Sequence, residues 1–216
     1  MNQVLISIII PCYQAADTIE KTLDSIFKQT YPFLEVIAVD DGSTDQTLLV
    51  LKKYQNKITI IYQKNLGASA ARNAGFKVSK GEYVLFCDAD VVLTNTMISD
   101  MLSELSRNPR SAYCYSNFKF GFHTFDLFPF DANRLKKENY ISTMSLIRRE
   151  RFIGFDESLY KFQDWDLWKR MLERGDTGCW VNKRLFYAPM RAGGISSYSL
   201  TNIIKLIFRK ITQFFS

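Results

Sequence analysis

Tyr83-Val84-Leu85-Phe86-Cys87-Asp88-Ala89-Asp90 is the stretch from which the fold is read. Following Gly81, a short apolar run with no polar alternation reads as a strand buried on both faces, as in a parallel sheet. The run leads straight into two carboxylates spaced i, i+2. In open α/β sheets, ligands collect beyond the carboxyl ends of the strands, so Asp88 and Asp90 emerge where a ligand is expected. Two anions this close repel unless a cation joins them, and hard oxygen donors suit Mg²⁺ or Mn²⁺ bridging to a phosphate. A solvated acidic turn after a strand gives the same pattern, so the D-x-D spacing alone leaves both readings open.

Working outward, the same arrangement repeats. Val4 to Ile10 reads as a strand closed by Pro11. Asp17 and Glu20 mark a helix start, and Ile19, Leu23, Ile26 and Phe27 form its apolar stripe up to Tyr31-Pro32. Leu34 to Val39 is a second strand ending in carboxylates, Asp40-Asp41-Gly42-Ser43. Thr44 is placed to cap a helix over 45–54, Ile58 to Tyr62 reads as a third strand, and Gly67 to Val78 as a helix. This β-α-β-α-β-α-β order predicts an α/β fold with a mostly parallel central sheet and right-handed crossovers. Beyond it, Asn95 is placed to cap a helix ended by Asn108-Pro109, and Ala112 to Phe120 and Ile141 to Ile147 read as strands. Residues 164–174 read as a helix with Trp165, Trp168 and Leu172 inward. Cys179 to Val181 and Leu185 to Tyr187 are two short strand candidates. The aromatic segment from Gly121 to Asn133 carries no legible pattern.

At 216 residues the chain is long enough for one filled core. Its four cysteines show no C-x-x-C pair and read as reduced, buried thiols, which excludes a disulfide framework or a zinc site. No secretory signal and no apolar run of about 20 residues is visible, so the expected location is cytoplasmic. The net charge of +6 is concentrated: from Thr177 onward there are six bases and no acid, while the remainder carries 22 of each. That surplus predicts an anionic partner for the tail and not general nucleic-acid binding.

Five pieces, in order, resemble the family 2 glycosyltransferases of the GT-A fold. They are Ser7-Ile8-Ile9-Ile10-Pro11-Cys12-Tyr13, Gln29-Thr30-Tyr31, Val39-Asp40-Asp41-Gly42-Ser43-Thr44-Asp45, Gly67-Ala68-Ser69-Ala70-Ala71-Arg72-Asn73 and Asp88-Ala89-Asp90. A weaker match continues through Gly154-Phe155-Asp156-Glu157 to Gln163-Asp164-Trp165-Asp166-Leu167-Trp168. The resemblance implies an inverting, metal-dependent transferase that moves a sugar from a nucleoside diphosphate sugar, expected to be UDP-linked, to a glycan or lipid-linked acceptor. It places Pro11, Tyr13, Asp41, Arg72 and Asp88 at the nucleotide, Asp90 on Mg²⁺ or Mn²⁺, and Asp164 as the general base. It implies a domain over 1–195, with a nucleotide-binding half (1–92) and an acceptor half (93–195). Bacterial surface polysaccharide or glycolipid synthesis is the expected setting.

Two departures stand out. Gln163 occupies the place where the family often has an acid, which removes a negative charge beside Asp164. The family's histidine after the last strand is missing from Met190-Arg191-Ala192-Gly193-Gly194, where Arg191 is a substitute for neutralising the diphosphate; the only histidine, His123, reads as incidental. Blander roles exist for each residue: Tyr13 as a loop aromatic, Arg72 as a surface charge, Asp164 as a helix cap. Two alternatives also stay open: a non-catalytic sugar-nucleotide binder, and a haloacid-dehalogenase-type phosphatase built on Asp88 and Asp90. A dinucleotide-binding fold is a weaker alternative still, since no G-x-G-x-x-G follows any strand. In the tail (196–216), Leu200, Ile203, Ile204, Ile207, Phe208, Ile211, Phe214 and Phe215 share one helical face, with Lys205, Arg209 and Lys210 flanking it. Such a helix would lie on the inner face of a membrane, or pack against protein.

Overall fold

The computed structural model describes residues 4–189. The chain runs β1 (Ile6–Cys12), α1 (Ile19–Phe27), β2 (Leu34–Asp41), α2 (Thr47–Lys52), β3 (Thr59–Gln63), α3 (Ala68–Val78), β4 (Tyr83–Phe86), β5 (Val92–Leu93) and α4 (Met97–Arg107). It continues through β6 (Tyr113–Phe120), β7 (His123–Phe125), α5 (Ala132–Leu135), β8 (Leu146–Arg148), a 3-10 turn (Arg149–Arg151), α6 (Gln163–Glu173) and β9 (Gly178–Ala188). The strands form one sheet in the order β3-β2-β1-β4-β8-β6-β9-β5, with β7 on β6. The first four strands are mutually parallel. Beyond β4 the sheet is mixed, because β8 runs antiparallel to both β4 and β6.

The apolar strand runs follow from burial on both faces. Ile6, Ile8, Ile10 and Cys12 join a core with α1 and α4, while Ile9 faces the opposite core with Ala71 and Trp168. In β4, Leu85 takes the first side, Val84 and Phe86 the second. Each isoleucine fully removed from water contributes about 2 kcal/mol. Helix α3 lies so close to the sheet that a Cβ on Gly75 would sit 2.4 Å from Ile9 Cγ2, and this contact holds the face carrying Arg72 tightly against the strand ends.

Several boundaries differ from the sequence expectations for local reasons. Strand β1 continues through Pro11, which pairs with Val39. Cys87 N donates to Ile9 O at 2.9 Å, so Ile9 and, two residues on, Pro11 turn their backbones toward β4. The β4 ladder ends at Ile9, so the missing proline N–H leaves no ladder bond unmade. Helix α2 starts at Thr47, not at 45. Gln46 is its N-cap, and Asp45 closes the turn before it by accepting from Thr47 N at 2.9 Å, while Thr44 N is held by Gln14. Of the expected 141–147 strand only Leu146 and Ile147 form, in β8, which runs on to Arg148. Ser142 bonds Met144 N at 3.1 Å and Ser145 Oγ at 2.7 Å, a local hydroxyl turn that competes with the ladder. The two short candidates near the end are one strand, β9, whose register against β6 shifts near Asn117, where Asn117 Nδ2 donates to Asn182 Oδ1 at 3.0 Å.

All four cysteines are buried and free. Burial pushes the Cys12 and Cys87 thiols well above their ordinary value, keeping them protonated. Among the described residues, no helix is long and apolar enough to cross a membrane. The expected tail helix, the missing-histidine segment and Arg191 lie outside the described residues.

Candidate active site

The parallel strands deliver their carboxyl ends to one edge of the sheet. Tyr13 follows β1 and is half exposed; Asp40 and Asp41 close β2; Asp88 and Asp90 follow β4. The loop after β1 is fixed by Gln14, which adopts a left-handed backbone at φ 49°. Its amide accepts from Thr44 N and Asp45 N, both at 3.0 Å, and donates to Thr44 Oγ1 at 2.9 Å. The β1 and β2 loops are therefore tied together, with Tyr13 displayed beside them.

Asp41 is almost fully buried and accepts three hydrogen bonds: Gln63 Nε2 at 2.7 Å, Leu66 N at 2.9 Å and Gly67 N at 2.8 Å. A carboxylate has about four acceptor positions, which leaves roughly one for a ligand N–H. Asp40 turns inward, taking Ser43 N at 3.1 Å to close the tight Gly42 turn. The bond from Gly67 N also anchors the start of α3, the helix that carries Arg72.

Arg72 is the junction of the site. It is buried, and its Nη2 donates to Asp88 Oδ1 at 2.9 Å while Nη1 donates to Gln163 Oε1 at 2.9 Å. Its guanidinium also lies 5.2 Å from the Phe155 ring centroid. Arg72 is thus no surface charge. The Asp88 side chain keeps 40% exposure, so its carboxylate is still open to solvent. Asp90 stands two residues further on, partly buried.

Gln163 opens α6 and is pinned from behind, its Nε2 donating to Leu159 O at 2.8 Å. Asp164 follows it as the second helical residue. The N-cap position belongs to Phe162, so the expectation that Asp164 caps this helix is corrected. Asp164 Oδ1 instead accepts from Trp165 N at 2.8 Å and from Asn139 Nδ2 at 3.0 Å. Burial pushes the Asp164 carboxyl above the ordinary aspartate range. The Trp165 N–H, the Asn139 amide and the Arg72 charge pull against this, and the Asp88 charge adds to it. A carboxylate raised in this way is suited to accept a proton. Trp168 is fully buried, and its Nε1 donates to Ile141 O at 2.9 Å, which makes it core.

The sequence reading missed Asn139 and Gln63. Both are single polar residues whose partners lie 25 and 22 positions away, with no spacing signal to betray them. Among the described residues, no group of three or more His, Cys, Asp or Glu side chains converges as a metal cage. Mg²⁺ is usually held by one or two carboxylates together with substrate phosphates, and the Asp88–Asp90 pair fits that donor set.

A family model described as "Glycosyl transferase family 2" matches residues 7–212 of the chain. The chain belongs to this family. The phosphatase alternative is set aside by that match. Among curated relatives, the Escherichia coli protein WfaP, described as a UDP-Glc:alpha-D-GlcNAc-diphosphoundecaprenol beta-1,3-glucosyltransferase, is 30% identical over 93% of this chain and 83% of its own. S. aureus TarS, solved with UDP-GlcNAc, matches with TM-score 0.76 and 25% identity over 90% of this chain and 61% of that one. The Pyrobaculum calidifontis mannosyltransferase PcManGT, solved with GDP-Man and Mn²⁺, shares the fold at TM-score 0.72 and 18% identity, covering 89% of this chain and 59% of that one. The family 2 chain described here thus spans less than two thirds of these solved chains.

Proposed function

We propose that this family 2 chain transfers a sugar, with inversion, from a nucleoside diphosphate sugar to the hydroxyl of a glycan or lipid-linked acceptor. The observation that carries this reading is the bridging of Asp88 and the Gln163-Asp164 helix start by one buried guanidinium, Arg72. In this reading Asp88 is the donor-side acid and Asp164 the acceptor-side base, and the Arg72 bridge ties their two segments together. The similarity to WfaP and to TarS, whose descriptions name UDP-Glc and UDP-GlcNAc, favours a UDP-linked donor.

In this mechanism Tyr13 stacks on the nucleobase, Pro11 shapes the strand end beneath it, and Asp41 offers its remaining acceptor position to a base N–H. Asp88 faces the ribose. Asp90, with Asp88, would hold Mg²⁺ or Mn²⁺, which when bound neutralises the charge of the leaving diphosphate. Asp164 takes the proton of the acceptor hydroxyl as that oxygen bonds to the anomeric carbon. The bond from that carbon to the phosphate oxygen breaks with its electron pair on the departing diphosphate. A base on one face and a leaving group on the other give inversion. Arg72 holds both walls in register and contributes positive charge to the cleft.

A thermal-shift panel of UDP-, GDP- and dTDP-sugars with and without Mn²⁺ tests the reading. A ligand at 100 times its Kd stabilises the native state by about 2.7 kcal/mol. A metal-dependent rise for one nucleotide class is expected. No rise with any of them at millimolar concentration would overturn the proposal.

A further inference from the structure

Two non-glycine residues adopt a left-handed backbone among the described residues, Gln14 at φ 49° and Phe162 at φ 59°. For Gln14 the strain is offset by the side-chain hydrogen bonds that clamp the nucleotide loops. Phe162 has no hydrogen-bonding side chain with which to offset it. Its ring is nevertheless 63% exposed, at the residue immediately before Gln163-Asp164. Strained, solvent-facing aromatics are unfavourable twice over, and such strain gathers where a ligand is held.

The surroundings say what kind of ligand fits. Phe162 meets the Trp165 ring edge-to-face, with centroids 6.0 Å apart and planes at 72°. Trp165 is itself locked, its Nε1 donating to Leu135 O at 2.7 Å, with Lys169 Nζ lying 4.7 Å from its ring centroid. Two residues before Phe162, Tyr160 is 71% exposed. Polar side chains adjoin it along the chain: Lys161 precedes Phe162, and the Asp164 carboxylate, bonded to Asn139 Nδ2, follows Gln163. A continuous alkyl chain needs a continuous apolar groove. A pyranose instead offers an apolar C–H face with hydroxyls at its edge, which matches one exposed aromatic face set among polar groups.

We infer that Phe162, backed by Trp165, is the platform on which a pyranose ring of the acceptor stacks, turning its hydroxyl toward Asp164. This rests on the placement of Asp164 as the base and names the acceptor at that same site.

Saturation-transfer NMR on the full chain with UDP and Mg²⁺ tests it, using hexyl pyranosides of glucose, galactose, mannose, N-acetylglucosamine and rhamnose as probes. Phe162→Gly removes the ring while suiting the left-handed backbone, so the fold is kept. Phe162→Trp retains a platform. For at least one glycoside, saturation should reach ring protons in the wild type and in Phe162→Trp. In Phe162→Gly the affinity should fall about tenfold, the change that 1.4 kcal/mol produces. Saturation confined to the hexyl chain, absent for every glycoside in the wild type, or equal in Phe162→Gly and wild type overturns the inference. UDP affinity, measured alongside, should be the same in all three proteins; if UDP fails to bind the wild type, the proposed function itself fails.

Discussion

Arg72 donates through Nη1 to Gln163 Oε1 at 2.9 Å, across 91 positions of sequence. Because Nη2 of the same guanidinium holds Asp88, the acid after β4 and the start of α6 share one buried cation. Gln163 serves here as a neutral acceptor beside Asp164. Gln163→Glu places a second carboxylate next to the base, which disfavours its ionised form. The base must be ionised to work, so activity is lost as pH falls through its pKa. The acidic limb of kcat/KM against pH should therefore move upward in Gln163→Glu. An unmoved limb would show that position 163 does not act on the base.

Asp164 makes a stability prediction with a definite sign. Its carboxyl is raised by burial above its ordinary 3.8, so the native state binds that proton more tightly than the unfolded chain does. The stability it contributes is complete below the unfolded value and is lost as pH rises through the native one. Asp164→Asn carries no such cost and keeps an acceptor for Trp165 N. Urea unfolding should find it more stable than the wild type at pH 7, with the margin closing toward pH 4. Its turnover should fall at least ~10²-fold, the scale of a positioned general base.

Asp41 has a structural role beside the ligand-binding one proposed for it. Asp41→Asn turns one oxygen into an N–H donor facing Gly67 N or Leu66 N, and that backbone donor is left without its acceptor. Losing one charge-assisted bond costs about 2 kcal/mol. Denaturant midpoints should fall accordingly, and nucleotide affinity should drop with them. Wild-type stability in this variant would contradict the three-bond description.

Phe162 allows strain to be separated from ring loss. Both Phe162→Ala and Phe162→Gly delete the ring, but alanine still carries a Cβ into the left-handed region. Phe162→Gly should be the more stable of the two by about 1 kcal/mol. Equal midpoints would mean that the backbone at 162 relaxes once the ring is gone.

The parallel half of the fold was legible because Ile6–Cys12, Leu34–Asp41 and Tyr83–Phe86 are buried on both faces, and their apolar runs end in acids. The later half was less so. The helix at Ala132–Leu135 is a single turn held by Asp131, which accepts from Asn133 N and Arg134 N. Local capping of that sort leaves no periodic pattern. The hydroxyl turn at 142–145 looked like a strand because its serines and threonine break no apolar rule. In the site, Arg72 and Asp88 could be named from their motifs. Their bond to each other could not, nor the double tie of Asn73, whose amide takes Phe155 N and donates to Phe155 O, both at 2.9 Å. The first depends on α3 lying over the end of β4, the second on α3 lying against a loop more than 80 positions away.

The most direct test of the two-walled cleft is titration of UDP into wild type, Asp90→Ala and Asp164→Asn in the presence of Mn²⁺. With Asp90 on the donor side and Asp164 on the acceptor side, Asp90→Ala should lose the metal-dependent part of the affinity. Asp164→Asn should bind within about twofold of wild type, a difference under 0.5 kcal/mol. Equal loss of UDP binding in both variants would contradict the assignment of Asp164 as the base.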